Sequence, residues 1–450
     1  MEVGLIKKYN KAIPRYTSYP PVPKWDQSIT DQKEWLKVLN QDIKDSNDQG
    51  ISIYLHLPFC ESLCTYCGCN KRITKRHEKE KPYIQALKQE WDIYRSALDH
   101  IPDLKYLHLG GGTPTFFSAE HLAEIVNYIK QGCTLSDNFE FSFEGHPNNT
   151  SLDHLQALYE VGFRRVSFGV QDFSLKVQKA IHRVQPIENV ERVVTEARAI
   201  GYTSINFDLV YGLPFQTAST IAQTIHKVAL FQPDRIALYS YAHVPWVSKS
   251  QRGYDESHLP DPADKLSYYI LAKQMLLNLG YVEIGMDHFA LPNDELSIAK
   301  KVGKLNRNFM GYTTDDSPQM IGLGNSSISS SKSAFVQNEK SVEAYQESVG
   351  KGVLPIIKSH RLTEEESAVG GIISALICLG SYDLQQDTDR FFMALTQLKE
   401  FEEDGLLELN DFKVNVTALG MLFIRNICAA FDPFLVGQAE AQKPMFSQSV

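Results

Sequence analysis

Apolar residues in the first half of the chain gather into short, β-rich stretches separated by longer amphipathic segments. ISIYLHLPF from Ile51, KYLHLGGGTP from Lys105, FEFSFEGHP from Phe139, RRVSFGVQDF from Arg164, SINFDLVYGLP from Ser204 and RIALYSYAHVP from Arg235 predict six strands. Between them lie helical patterns such as PYIQALKQEWDIYRSAL, where Ile84, Leu87, Trp91 and Tyr94 recur on one face. Alternation of strand and helix predicts an α/β fold with parallel strands and right-handed crossovers, either an open doubly wound sheet or a complete or partial barrel. Both architectures place function at the carboxyl ends of the strands. The polar and Gly-rich residues obey that rule. A cysteine cluster follows the first stretch, Gly110 to Thr113 the second, and Glu144 ends the third; Gln171 and Asp172 end the fourth, Asp208 lies in the fifth and His243 ends the sixth. Gly212 and Pro214 most simply terminate the fifth strand.

Past about residue 350 the pattern changes. Thr363 to Glu366 reads as a capping box opening a helix, and DGLLELNDFKVNVTALG reads as a hairpin with Asn410-Asp411 at its turn. The division expected is an N-terminal arm over 1–48, an α/β domain over 49–350 and a smaller, mainly helical domain over 351–450.

Hydrophobic residues at 43% and charged residues at 22% are those of a folded globular chain, which sets aside disorder. The formal charge of −9 argues against nucleic-acid or anionic-membrane partners, since both call for a basic face. An anionic substrate would instead need a local basic pocket. The start lacks an apolar core of signal-peptide length, and the longest uncharged run, Ser367 to Tyr382, falls short of a membrane helix. A cytoplasmic protein is expected, where clustered cysteines bind metal or do redox chemistry rather than form disulfides.

Four of the seven cysteines, Cys60, Cys64, Cys67 and Cys69, lie within FCESLCTYCGCNK. A structural zinc site is one reading, but its usual signature is two separated C-x-x-C pairs, and here no second knuckle follows. An iron–sulfur cluster suits a single loop better. Cys60, Cys64 and Cys67 reach three corners readily, whereas Cys69, separated from Cys67 by Gly68 alone, reaches a fourth awkwardly. One iron is then left open to a small ligand.

C-x-x-x-C-x-x-C with Tyr66 before its last cysteine resembles the signature of radical S-adenosylmethionine (SAM) enzymes. The longer set YLHLPFCESLCTYCGCNK, HLGGGTPTF, GVQDF, NFDLVYGLP, YAHVP, GMDHFALPNDEL, NRNFMGYTT and IRNIC, beginning from RYTSYP at Arg15, closely resembles the oxygen-independent coproporphyrinogen III oxidases. The resemblance implies a partial (βα)6 radical SAM barrel and decarboxylation of two propionates of coproporphyrinogen III to vinyl groups. It implies a [4Fe-4S] cluster on Cys60, Cys64 and Cys67, and SAM held by Tyr54, Gly111, Glu144 and Ile328. A second SAM would be lined by Gly112, Thr113, Gln171, Arg183, Asp208, Ala242 and backbone near Tyr66. Cys69 matches a cysteine acting near the substrate, and Arg15 is the better candidate for a substrate carboxylate. An electron donor for the cluster and a monomeric state are also expected. The alternative within the same barrel is a haem chaperone; Cys-Gly-Cys-Asn at Cys67 to Asn70 and RYTSYP favour the oxidases.

Lys71, Arg72, Lys75 and Arg76 form a second basic candidate, with a solvated loop as the plainer reading. Glu144-Gly145-His146-Pro147 departs from the family's usual Glu-Val-Asp-Pro, and His146 reads first as a loop histidine. His56 and His108 read as inward packing or supporting residues, and His288 as either a cavity or a core histidine. Cys133, Cys378 and Cys428 read as small buried hydrophobes.

Overall fold

The computed structural model describes residues 3–29, 31–46, 49–246, 248–435 and 448. Its main sheet carries twelve strands: β1 (Ile51–Leu57), β2 (Asp103–Gly111), β3 (Thr134–Gly145), β4 (Phe163–Gln171), β5 (Ser204–Tyr211), β6 (Arg235–Ser240), β7 (Val282–Gly285), β8 (His288–Ala290), β9 (Gln319–Leu323), β10 (Ile328–Ser330), β11 (Ala334–Asn338) and β12 (Ile356–Arg361). They lie side by side in the order β12-β11-β10-β9-β1-β2-β3-β4-β5-β6-β8-β7. The six stretches seen in the sequence are β1 to β6, and they run parallel in chain order.

The sheet does not end there. QMIGL forms β9, fully buried and parallel to β1, with Ile51 opposite Gln319 and Leu55 opposite Leu323. Antiparallel β10, β11 and β12 extend that edge, while β8 and β7 extend the other. These strands are short, and no long helical pattern separates them, so alternation of strand and helix does not reveal them. Pairing of β11 with β12 also carries the sheet past position 350, to Arg361.

β1 is almost wholly buried, as a strand covered on both faces must be. One cover is the helix Glu80–Ala97, whose Tyr83, Ile84, Leu87, Trp91 and Tyr94 are all buried. Glu90 lies on the same face and accepts hydrogen bonds from Gly324 N (2.7 Å), Tyr345 Oη (2.7 Å) and Asn338 Nδ2 (2.6 Å). Those bonds fix the turn after β9 to the helix.

A second core joins the N-terminal arm to the C-terminal helices. Tyr16 and Tyr19 donate to the buried Asp432 carboxylate at 2.9 and 3.1 Å. Arg307 donates to the Arg15 and Tyr16 carbonyls at 3.0 and 2.8 Å, and Arg425 to the Pro14 carbonyl at 3.1 Å. Guanidinium groups clamp the arm by its backbone here and hold Arg15 near the end of β6. Thr363 and Glu366 form the expected capping box of the helix Glu364–Leu379. The hairpin forms between Leu407–Asn410 and Lys413–Val416, but Asn410 pairs with Lys413. Its turn is thus centred on Asp411 and Phe412, one residue later than expected, with Asp411 in the left-handed region (φ 54°). Among the described residues no helix is long and apolar enough to cross a membrane.

Candidate active site

The cysteine loop is held from several sides. Phe59–Cys60 pairs with Arg72–Ile73, and Arg72 N and Thr74 N donate to the Pro58 and Cys60 carbonyls at 2.8 and 2.9 Å, closing the loop at its base. Thr65 Oγ1 donates to the Ala180 carbonyl (3.2 Å), tying the loop to the segment after β4. Gln251 Nε2 donates to both the Tyr66 carbonyl (3.0 Å) and the Ala242 carbonyl (3.1 Å). Ser248 Oγ and Lys71 Nζ donate to the Cys67 carbonyl at 3.3 and 2.9 Å. A loop pinned by this many neighbours presents its thiols at fixed places.

Three of the four sulfurs meet a donor. Thr113 Oγ1 donates to Cys60 Sγ at 3.3 Å, and Arg183 Nη1 to Cys64 Sγ at 3.7 Å. The Cys69 thiol bonds Cys67, which brings Cys67 down to about 6, while the same bond raises Cys69. Burial pushes Cys60 up to about 11. Among the described residues no three His, Cys, Asp or Glu side chains already converge to metal distance. The donor set nevertheless fits an iron–sulfur group: three thiols on one loop are soft ligands, and the hydroxyl and guanidinium beside them suit sulfur that carries negative charge.

The Gly-rich turn after β2 lies directly against this loop. Gly112 N donates to the Leu57 carbonyl at 2.9 Å and Thr113 N to the Phe59 carbonyl at 3.0 Å. A Cβ on Gly112 would sit 2.4 Å from the Pro58 oxygen and 3.0 Å from Cys60 Sγ, so no side chain fits. Gly111 has φ 120°, and its N–H donates to Glu144 Oε2 at 3.3 Å. Tyr54 stacks on His108 with ring centroids 6.0 Å apart, and its hydroxyl lies 3.2 Å from His56 Nδ1. Burial lowers His56 to about 4, so it is neutral near pH 7.

The family model described as the radical SAM superfamily matches residues 54–228. An oxygen-independent coproporphyrinogen III oxidase from Helicobacter pylori is 39% identical over 439 residues, covering 96% of each chain. Its counterpart from Synechocystis is 36% identical over 99% of this chain and 97% of that protein, and the one from Escherichia coli 36% identical over 98% and 97%. The solved structure of the Escherichia coli coproporphyrinogen III oxidase, described as a radical SAM enzyme, superposes with a TM-score of 0.90 at 35% identity, covering 96% of this chain and 99% of that one. The chain belongs to the oxygen-independent coproporphyrinogen III oxidase family. It is thereby an oxidoreductase of the radical SAM superfamily, which works with SAM and a [4Fe-4S] cluster.

Most residues singled out from the family pattern occupy one end of the sheet. Tyr54, Gly111, Gly112, Thr113, Glu144 and the cysteine loop are joined through the contacts above. Arg183 lies half-buried beside Gly169, to whose carbonyl it donates, and Gln171 closes β4 in the left-handed region (φ 67°). Asp208 accepts from Ser167 Oγ and Asn206 Nδ2, both at 2.9 Å. Burial and the neighbouring Glu144 raise it to about 6. Asp208, Glu144, His108 and His288 share a cavity of about 140 Å³ inside the barrel. Ile328 opens β10, two strands from β1, with its backbone against Gly322, the residue of β9 paired with Tyr54.

Arg15 is ion-paired with Asp287, and its guanidinium lies 6.0 Å from the centre of the Tyr239 ring. Burial opposes the Asp287 charge, but Arg15 and His288 together hold it well below the usual carboxylate range. His288 Nδ1 lies 2.7 Å from Asp287 Oδ1, a supported histidine at the cavity wall. His146 accepts from Asn148 N at 3.1 Å; burial and Arg183 keep it neutral, in line with a loop role. Of the basic run after the cysteines, Arg72 pairs with Glu343 and Arg76 with Glu78 at the surface, while Lys71 serves the loop backbone. Asp287, Gln251 and Ser248 escaped sequence reasoning. Asp287 adjoins the singled-out His288 and was the one within reach; the other two lie in a loop with no periodic signal.

Proposed function

We propose that this chain converts two propionate side chains of coproporphyrinogen III to vinyl groups, giving protoporphyrinogen IX in haem biosynthesis without oxygen. Cys60, Cys64 and Cys67 would hold the cluster, which together with SAM would supply the radical chemistry that removes a hydrogen atom from the propionate β-carbon. The substrate then loses carbon dioxide and passes one electron to an acceptor, so the Cα–Cβ bond becomes a double bond.

The observation that carries this reading is the fixed thiol loop packed on the Gly-rich turn, in a chain matched nearly end to end by oxidases of that name. Tyr54, Gly111, Glu144 and Ile328 are assigned to the first SAM; Gly112, Thr113, Gln171, Arg183, Asp208, Ala242 and Tyr66 to a second. Cys69, exposed beside Cys67, is assigned a thiol role toward substrate rather than ligation. The chain acts as a cytoplasmic monomer with a separate electron donor.

The test is anaerobic reconstitution with iron and sulfide, followed by reduction with SAM and coproporphyrinogen III. Vinyl-bearing tetrapyrrole together with 5′-deoxyadenosine is the expected result. SAM cleavage without loss of carbon dioxide would overturn the reading in favour of a haem-handling relative. Serine in place of Cys69 should keep the iron content and lower turnover; loss of iron would refute its assignment.

A further inference from the structure

Beyond β6 lies a second cavity, of about 200 Å³, open along the wall that Gln251 ties to the cysteine loop. Among the described residues three cations line it, Arg15, Lys265 and Arg425, and no Asp or Glu does. The rest of the lining is largely apolar, with Ala242, Val244 and Trp246 among it.

The three cations come from distant parts of the chain. Arg15 belongs to the clamped arm, Lys265 to the helix Pro262–Asn278, and Arg425 to the helix Ile424–Ala429. Arg15 is engaged by Asp287, and Arg425 by the arm and Gln448 carbonyls. Lys265 differs. Its stem lies over Gly212, where a Cβ would come within 2.9 Å of Lys265 Cε, and its ammonium has no hydrogen-bond or ion-pair partner among the described residues. It is half-buried, and burial with Arg425 and Arg15 beside it lowers its pKa to about 8. A fold that half-buries the Lys265 ammonium beside two other cations, with no carboxylate against it among the described residues, leaves that charge to be balanced by an anion from outside.

We propose that Lys265, supported by Arg15 and Arg425, receives a carboxylate of the tetrapyrrole substrate in this cavity. The proposal rests on the substrate reading given above. SAM also carries a carboxylate, but it brings an ammonium and a sulfonium with it and is net cationic. A ligand with several carboxylates on apolar rings matches three cations set against apolar walls.

The test uses the anaerobically reconstituted full chain, titrated with coproporphyrin III, the stable oxidised form, and with its tetramethyl ester. K265M should weaken coproporphyrin III binding about tenfold or more, the effect of removing one charge-assisted bond. K265R should recover most of it, and binding of the ester should be the same in wild type and K265M. Iron content and the change that SAM makes in the spectrum of the reduced cluster should stay as in the wild type, and K265Q repeats the test if K265M does not fold. Wild-type affinity in K265M would overturn the proposal alone. So would a loss of SAM binding with coproporphyrin III binding intact, which would give the carboxylate to SAM. Failure of the wild type to bind coproporphyrin III would overturn the substrate reading as well.

Discussion

The cysteine loop and the cavity beyond β6 sit at the same end of one sheet and manage charge in opposite ways. The loop gathers sulfur from ten consecutive residues and sets donors beside it, the Thr113 hydroxyl on Cys60 and the Arg183 guanidinium on Cys64. The cavity gathers cations from residues separated by hundreds of positions, with no carboxylate in its lining among the described residues. One region is prepared to hold negative charge on sulfur, and the other to receive it on oxygen. The difference separates cofactor chemistry, which a short motif can carry, from substrate recognition, which only the folded chain assembles.

Removing a thiol should have the largest effect. Cys64→Ala takes away one of the three thiols proposed to hold the cluster and the acceptor of Arg183, so iron content and SAM cleavage should both be lost; retention of iron would break the assignment of the loop. Gly112→Ala comes next. Its new methyl would press on the Pro58 carbonyl and displace Cys60, at a cost of about 1–3 kcal/mol from overpacking alone. A lower thermal midpoint with reduced iron loading is expected, and full loading would contradict the role of that turn.

On the side of the cavity, Asp287→Asn leaves Arg15 without its buried partner. Stability should fall by about 3 kcal/mol, read from denaturant unfolding, because a buried charge loses its compensation. An unchanged midpoint would show that Arg15 does not depend on Asp287. Glu90 supplies a contrast away from both regions. Its ordinary value of 4.5 is raised by burial to about 7. The unfolded chain therefore ionises it first, and stability should fall as pH rises from about 4.5 to 7 and level off above that. Glu90→Gln should flatten that slope by up to about 3 kcal/mol across the window, the size a shift of this order implies. A slope unchanged in a thermal series against pH would contradict it.

Legibility follows the same divide. β1 to β6 and the cysteine loop could be read because their signals are local: apolar runs, spacing of thiols, glycines after a strand. β9 was invisible as QMIGL, five residues whose partner, β1, lies far upstream in the sequence. The hairpin was placed correctly but its turn slipped by one residue, since Asn410 and Asp411 favour a turn equally and only pairing with Lys413 decides it. Arg15 and Arg425 fell within quoted motifs, RYTSYP and IRNIC, whereas Lys265 looked like an ordinary helix residue. Their meaning depends on the arm being clamped between β6 and the C-terminal helices, a contact that no local pattern encodes.

The most direct test of the central claim is the electron paramagnetic resonance spectrum of the reduced, anaerobically reconstituted protein with and without SAM. The account predicts a cluster signal that SAM alters, because it gives the cluster three protein ligands only, Cys60, Cys64 and Cys67. A signal indifferent to SAM, or a protein that binds zinc in place of iron, would contradict it.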